Sequence, residues 1–291
     1  MSSTTTTAQP VELAVAKPQR PGPYRRAVVT CIASAVVIVA LLITGFANAD
    51  QALVTDFTNK ALAPYAAEPF GTDWMGRSLL ARTVTGLALS ILIGLFAATV
   101  SAIIALILGT LAALGPKWVD NLVSWLINLM LGLPHMLLLI LISVAIGRGF
   151  WGVAIGVAVT HWPSLARVIR SEVMQVRDAT YVAIDRKLGC SPFRIAVKHM
   201  LPAVIPQFLV GLVLLFPHAI LHEASITFLG FGLSPEQPAI GVILSESMSY
   251  LTAGMWWSAL FPGLSLLLMV LVFQLFGRSL RVIVEDRRRD I

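Results

Sequence analysis

The sequence predicts an all-α membrane protein with six transmembrane helices and both termini in the cytoplasm. Three observations carry that expectation: the composition, the lengths of the apolar runs, and the loops in which Lys and Arg collect. Apolar residues make up 57% of the 291-residue chain and charged residues 12%, with a mean hydropathy of +0.83. A soluble domain carries about twice that density of charge. Crossing a hydrocarbon core of about 30 Å takes about 20 apolar residues, and several runs reach that length. The net charge of +6 would point a soluble chain toward nucleic acid. Here no basic patch is interleaved with aromatic residues, so nucleic acid is excluded as a partner.

Residues 1–23 are rich in Ser, Thr, Pro and Ala and form an expected disordered cytoplasmic tail. Arg25 and Arg26 then precede an apolar run over 27–47. That run is long and lacks a cleavage context, so it is expected to stay as a membrane anchor. Further spans fall at about 86–114, 121–146, 150–168, 203–228 and 258–284. Those at 86–114 and 121–146 exceed a perpendicular crossing, which predicts tilt or helical extension beyond the bilayer. With the amino terminus inside, seventeen Lys and Arg lie on the cytoplasmic side and four outside (Lys60, Arg77, Arg82 and Arg148). That asymmetry sets the orientation.

Residues 24–291 thus read as one six-helix domain with long external loops at about 48–83 and 229–257. A long cytoplasmic loop follows at about 166–202. All three exceed an ordinary helix–helix connection of about 2–8 residues. Within the second external loop, the apolar set of 240–251 fits a short interfacial helix bearing Glu246, with Glu236 just ahead of it. Cys31 and Cys190 are too far apart in sequence and depth to read as a disulfide or a metal site.

The cytoplasmic loop carries the densest local signal. Residues 173–188 fit an amphipathic helix, with Val176, Ala179, Tyr181, Val182 and Leu188 as packing candidates. Gly189 suits a left-handed helix cap. Ser191 can cap a second helix whose first turn holds Pro192. Leu201-Pro202 marks re-entry into the membrane.

Tyr181-Val182, Arg186, Gly189 and, after nine residues, His199-Met200-Leu201-Pro202 resemble the Gly-x9-Ile-x-Leu-Pro loop of permease subunits of bacterial ABC importers. The form of this loop is similar to the dipeptide, oligopeptide and nickel branch. Gly71-Thr72-Asp73-Trp74-Met75-Gly76-Arg77, Trp118 through Pro134, Ser225 through Gly232 and Phe261-Pro262-Gly263 resemble further segments of that family. Two departures stand out. Ile184-Asp185 occupies the place of two small alanines, and His199 the place of Ile.

The resemblance implies the six-helix fold of a type I importer permease in the bacterial cytoplasmic membrane. It implies that this loop couples to an ATPase through Tyr181, Val182, Asp185, Arg186, Gly189, Ser191, Leu201 and Pro202, with Asp185 placed to select the partner. The implied partners are a second homologous permease, two ATPase subunits that bind ATP and Mg2+, an extracytoplasmic binding protein, and membrane lipid. The chain itself would hold no cofactor and move small peptides or nickel and other metal chelates.

The residues agree on one negative point. No Gly-x4-Gly-Lys-Ser/Thr loop exists to cradle a nucleotide, and no hydrolytic constellation has an aqueous setting, so the chain does not read as an enzyme. The spans are nearly free of ionisable groups except for Glu223 and the histidines. His218 and His222 lie four apart on one helix face, beside Glu223, and such a pair can bind a transition metal. His161-Trp162 lies in the fourth span, and His135 follows Pro134 in the third. Two readings stay open for His161, His218, His222 and Glu223. They line a polar passage, or they face the bundle interior and bond to backbone. The rival to the importer is a stand-alone secondary transporter or channel, which would show inverted repeats or broken helices; neither is evident in the sequence.

Overall fold

The computed structural model describes residues 22–289, so most of the expected tail lies outside the described residues. Within them regular structure is helical, apart from one isolated bridge between Thr72 and Ser78. The long helices are α1 (Gly22–Ala47), α2 (Leu79–Leu114), α5 (Phe150–Arg177), α8 (Leu201–Phe228) and α10 (Trp257–Arg289). Between α2 and α5 lie α3 (Lys117–Gly132) and α4 (His135–Ile146). Shorter elements are α6 (Thr180–Lys187), α7 (Pro192–Ile195) and α9 (Ile240–Met248). Five helices are long and apolar enough to cross a membrane, and the α3–α4 pair makes a sixth span if taken together.

That pair corrects the sequence reading. The run 121–146 was expected as one long span, but α3 and α4 meet at a 98° bend. Pro134 has no N–H to continue the ladder and forces the preceding residue out of the helical region. Leu133 accordingly takes extended angles (φ −84°, ψ 145°). A broken helix is therefore present after all, in one place.

Helix α2 starts seven residues before its expected boundary, because the Ser78 hydroxyl accepts from the Ala81 N–H and opens the helix there. It ends at Gly115, ahead of Pro116. At 36 residues it is roughly 54 Å long, so the expected extension beyond a bilayer is real. One of its faces is lined by small residues: Ala97, Ala98, Ala102, Ala105, Ala112 and Ala113 are nearly or fully buried. Apolar side chains gain nothing by leaving lipid for protein, so close backbone approach supplies the attraction, as small residues permit. Helix α5 packs along α2 and brings its own Ala154, Ala158 and Ala166 to the interior.

Helix α5 runs nine residues past its expected end. Polar contacts hold the extension. Arg170 grips Asp120 of α3 with two bonds of 2.6 and 2.7 Å, and Arg177 donates to the Ala113 carbonyl at the end of α2 at 2.7 Å. The bundle therefore has two distinct ends along α2. One holds residues 48–78 and α9; the other holds residues 178–200.

Candidate functional site

The hairpin 178–200 grows directly from two membrane helices. The expected continuous helix over 173–188 is broken at Asp178-Ala179, so α6 is a separate eight-residue piece. Gly189 adopts φ +82°. The Cys190 N–H reaches the Asp185 carbonyl and the Gly189 N–H reaches the Arg186 carbonyl, both at 3.1 Å. That pair of crossed bonds closes the C-terminal carbonyls of α6 and requires the left-handed residue where the sequence has glycine. Ser191 then accepts from the Arg194 N–H at 3.3 Å, as its capping role anticipates. A π-turn over Ala196–Met200, closed by the Leu201 N–H on the Ala196 carbonyl, feeds the chain into α8 through Leu201 and Pro202.

Only Val182 of α6 is buried, sharing a core with Val173, Ile195 and Met200. Tyr181 and Leu188, expected to pack, are exposed instead, Leu188 to 76%. With Ile184 they form an apolar stripe along α6, flanked by exposed Arg186 and Lys187. The break at Asp178-Ala179 accounts for the difference, since it resets which face of α6 meets the bundle.

Asp185, expected to select the partner, is also engaged within the hairpin. His199 Nε2 donates to it at 2.6 Å and Lys198 Nζ at 3.2 Å, so it clasps the two arms of the hairpin together. The His199 bond, and after it the Lys198 bond, hold the Asp185 carboxyl below the usual carboxylate range. Two of the three positions that break the family pattern, Asp185 and His199, are thus each other's partners.

A second cluster lies inside the bundle. His135 from the start of α4, His161 from the middle of α5 and His222 from α8 meet with ring centroids 4.7, 4.7 and 4.9 Å apart. One ring nitrogen from each lies within 4.8 Å of the others. His161 Nδ1 sits 2.9 Å from the Val157 carbonyl, while His135 Nε2, His161 Nε2 and His222 Nδ1 are buried without a hydrogen-bond partner. The sequence pairing of His218 with His222 does not form a cluster: His218 is exposed, and His135 takes the third position. Periodicity along α8 could not have found His135, which arrives through the bend after Pro134. Glu223 is fully buried beside His222; its Oε1 accepts from Thr227 Oγ1 at 3.1 Å, and its Oε2 is buried without a hydrogen-bond partner.

At the other end of α2, charges that the sequence placed in external loops are buried. Arg82 bonds Asp73 at 2.6 Å and Glu246 of α9 at 2.8 Å, and Arg77 bonds Asp73 at 2.6 Å. Asp73 also accepts from the Met75 and Arg77 N–H groups. Helix α9 is therefore no interfacial surface helix. Its Ile240, Val242 and Ile243 are buried in the bundle, and Glu246 points into the charge network.

Residues 105–290, well over half of the chain, match the family described as binding-protein-dependent transport system inner membrane component. The chain belongs to that family. The permease is 30% identical over 251 residues to the dipeptide transport system permease protein DppC of Bacillus subtilis, covering 86% of this chain and 78% of that one. It is 34% identical over 220 residues to the di/tripeptide transport system permease protein DppC of Pseudomonas aeruginosa, covering 76% and 72%. Its fold resembles the MetNI methionine ABC transporter in inward-facing conformations, with a TM-score of 0.56 and 18% identity over 70% of this chain and 97% of that one. The permease is thus a multi-pass protein of the inner membrane and the membrane-spanning component of an ABC importer, working with a binding protein and an ATPase.

Proposed function

We propose that this permease moves small peptides, or metal chelates of similar size, by alternating access. It would pair with a second, related permease and be driven by two separate ATPase chains that supply the ATP and Mg2+ sites. The exposed stripe of Tyr181, Ile184 and Leu188 on α6 carries this reading, because an apolar face projected beyond the spans gains by meeting another protein. Helix α6 joins α5 by a two-residue turn, and α7 passes into α8 through the π-turn. A push on the hairpin is therefore delivered to α5 and α8, the two helices that hold His161 and His222. The names of the dipeptide and di/tripeptide relatives support a peptide cargo.

In this reading the hairpin faces the cytoplasm and the 48–78 end faces the binding protein, as the distribution of Lys and Arg favours. In a cysteine-free background, single cysteines at 60 and 236 should react with an impermeant reagent in intact cells. One at 188 should react only after permeabilisation. External labelling at 188 would overturn the orientation.

The docking role has its own test. Ile184→Glu with Leu188→Glu places two charges on the stripe without touching the buried Val182. The variant should insert normally yet lose co-purification of the ATPase and peptide uptake together. A stand-alone carrier would transport unchanged, since it has no partner to lose.

A further inference from the structure

We infer that His135, His161 and His222 form a site for one divalent transition-metal ion, held through three imidazole nitrogens with its remaining coordination positions open. The orphaned atoms make the case. Each histidine presents a buried nitrogen with no hydrogen-bond partner, and the three rings face one another instead of lipid. Mutual N–H to N bonding among the rings would be the simplest way to satisfy these atoms, and the structure shows none of it.

His161 supplies the second observation. Its Nδ1 lies 2.9 Å from the Val157 carbonyl one turn back, which fixes the ring proton there and leaves the Nε2 lone pair bare. An imidazole that ligates a metal characteristically donates its other N–H to a backbone carbonyl or carboxylate, and that bond sets its tautomer. The spacing fits as well. Metal–nitrogen bonds of about 2.0–2.1 Å bring ligand nitrogens roughly 3.4 Å apart. The nitrogens already lie within 4.8 Å, so each ring needs to move inward by less than about 1 Å.

The donor set narrows the ligand. Three imidazoles without a carboxylate suit zinc, nickel, copper or cobalt and not the oxygen-seeking magnesium or calcium ions. Glu223 gives one oxygen to Thr227 and lies outside the set. Three neutral ligands leave the ion its full double charge and at least one free position. An anionic donor from outside, such as the carboxylate or amide of a peptide-like chelator, completes that shell. Each ligand also lies within five residues of a proline: Pro134 before His135, Pro163 after His161, Pro217 before His222. The site therefore joins the start of α4, just after the bend, to two helices that carry an internal proline, and a tilt of any one of the three takes a ligand away.

This inference deepens the proposed function by naming the chemistry that the passage would recognise, but it stands or falls separately from the docking hairpin. The test uses the assembled transporter without a polyhistidine tag, in lipid discs, with Co2+ as the probe because its visible absorption reports the ligands. Wild type should bind one Co2+ per permease chain, displaced by Zn2+. His135→Gln, His161→Gln and His222→Gln should each weaken binding by about tenfold or more, and His218→Gln should not.

A second arm offers Co2+ bound to nitrilotriacetate. Tighter binding of the chelate than of the bare ion identifies a chelate site, and the reverse identifies an ion site. If a Gln variant fails to assemble, wild type alone decides: Zn2+ should raise its thermal midpoint and a chelator reverse the shift. Absence of both a cobalt spectrum and a Zn2+-dependent shift overturns the site. Undiminished binding in the three cluster variants does so equally. Either failure leaves ATPase association and dipeptide uptake, measured on the same preparations, to judge the importer reading alone.

Discussion

The two ends of α2 carry connections that look alike in sequence, both long, polar and punctuated by glycine, yet they are built on opposite principles. At the 48–78 end, Asp73, Arg77 and Arg82 are buried and joined to Glu246 across more than 160 residues of chain. Aromatic contacts reinforce the join: Phe70 stacks on Phe261, Trp74 stacks on Tyr250, and Trp257 Nε1 donates to the Thr72 carbonyl. At the 178–200 end one side chain of α6 is buried, and the clasp between Asp185, His199 and Lys198 is open to solvent on the Lys198 side. The first end is fixed in place by charges that have nowhere else to go. The second is tied to the bundle by its hinges and by the apolar burial of Val182, Ile195 and Met200, with no buried charge among the described residues to lock it. Loop length does not distinguish a platform from a lever; where the charges find their partners does.

Removing a charge from the first end should give the largest effect. Asp73→Ala leaves Arg82, 2% exposed, without its shortest partner, and losing one member of a buried pair costs about 3–5 kcal/mol. Thermal unfolding in detergent should show a large loss of stability and poor yield. Glu246→Gln should cost less, because that side chain is 22% exposed and water can replace part of the bond. A fully stable Asp73→Ala variant would erase the contrast between the two ends.

A matched pair of glycines sharpens it further. Gly76 and Gly189 share nearly the same φ, +78° and +82°. A Cβ on Gly76 would lie 1.8 Å from the Asp56 carbonyl oxygen, whereas one on Gly189 meets nothing. Gly189→Ala therefore pays only for the left-handed backbone, about 1–2 kcal/mol, felt within the hairpin. Gly76→Ala adds a backbone collision and should lower global stability well beyond that. Gly189→Val, β-branched at the same angle, should misplace α6 and abolish uptake with the spans intact. Comparable melting curves for Gly76→Ala and Gly189→Ala would mean that both ends yield equally.

What the sequence disclosed follows the same divide. The number of spans (with α3–α4 counted as one), Gly189 with its cap, Ser191 and the start of α8 at Leu201-Pro202 were legible because each rests on a local rule of periodicity or backbone geometry. The histidine cluster was half legible. An i,i+4 rule finds His218 and His222 on one helix, but His135 joins through a 98° bend between α3 and α4 that periodicity does not record. The buried charges were hidden for a related reason. Arg77 and Arg82 count as loop residues under a positive-inside tally, and only packing shows that Glu246 on α9 comes to meet them. Asp185 and His199 were each visible as departures from the family pattern, and their pairing was not.

That pairing gives the subtlest test of the lever. If Asp185 and His199 serve each other, then Asp185→Ala and His199→Ile should each loosen the hairpin, and the double variant should recover much of the loss. A clasp that also docks the ATPase through Asp185 would show no such recovery. Hydrogen exchange over 180–200 separates the outcomes, with ATPase co-purification as the functional readout. The acid dependence has a fixed sign. His199 and then Lys198 lower the Asp185 pKa, so the carboxylate's contribution is complete above the ordinary aspartate value of about 3.9. It is lost as pH falls through the lowered value in the folded hairpin. Asp185-dependent exchange in the hairpin should therefore rise as the pH falls below about 3.9, after correction for the intrinsic rate. A rise there that survives Asp185→Ala belongs to another group.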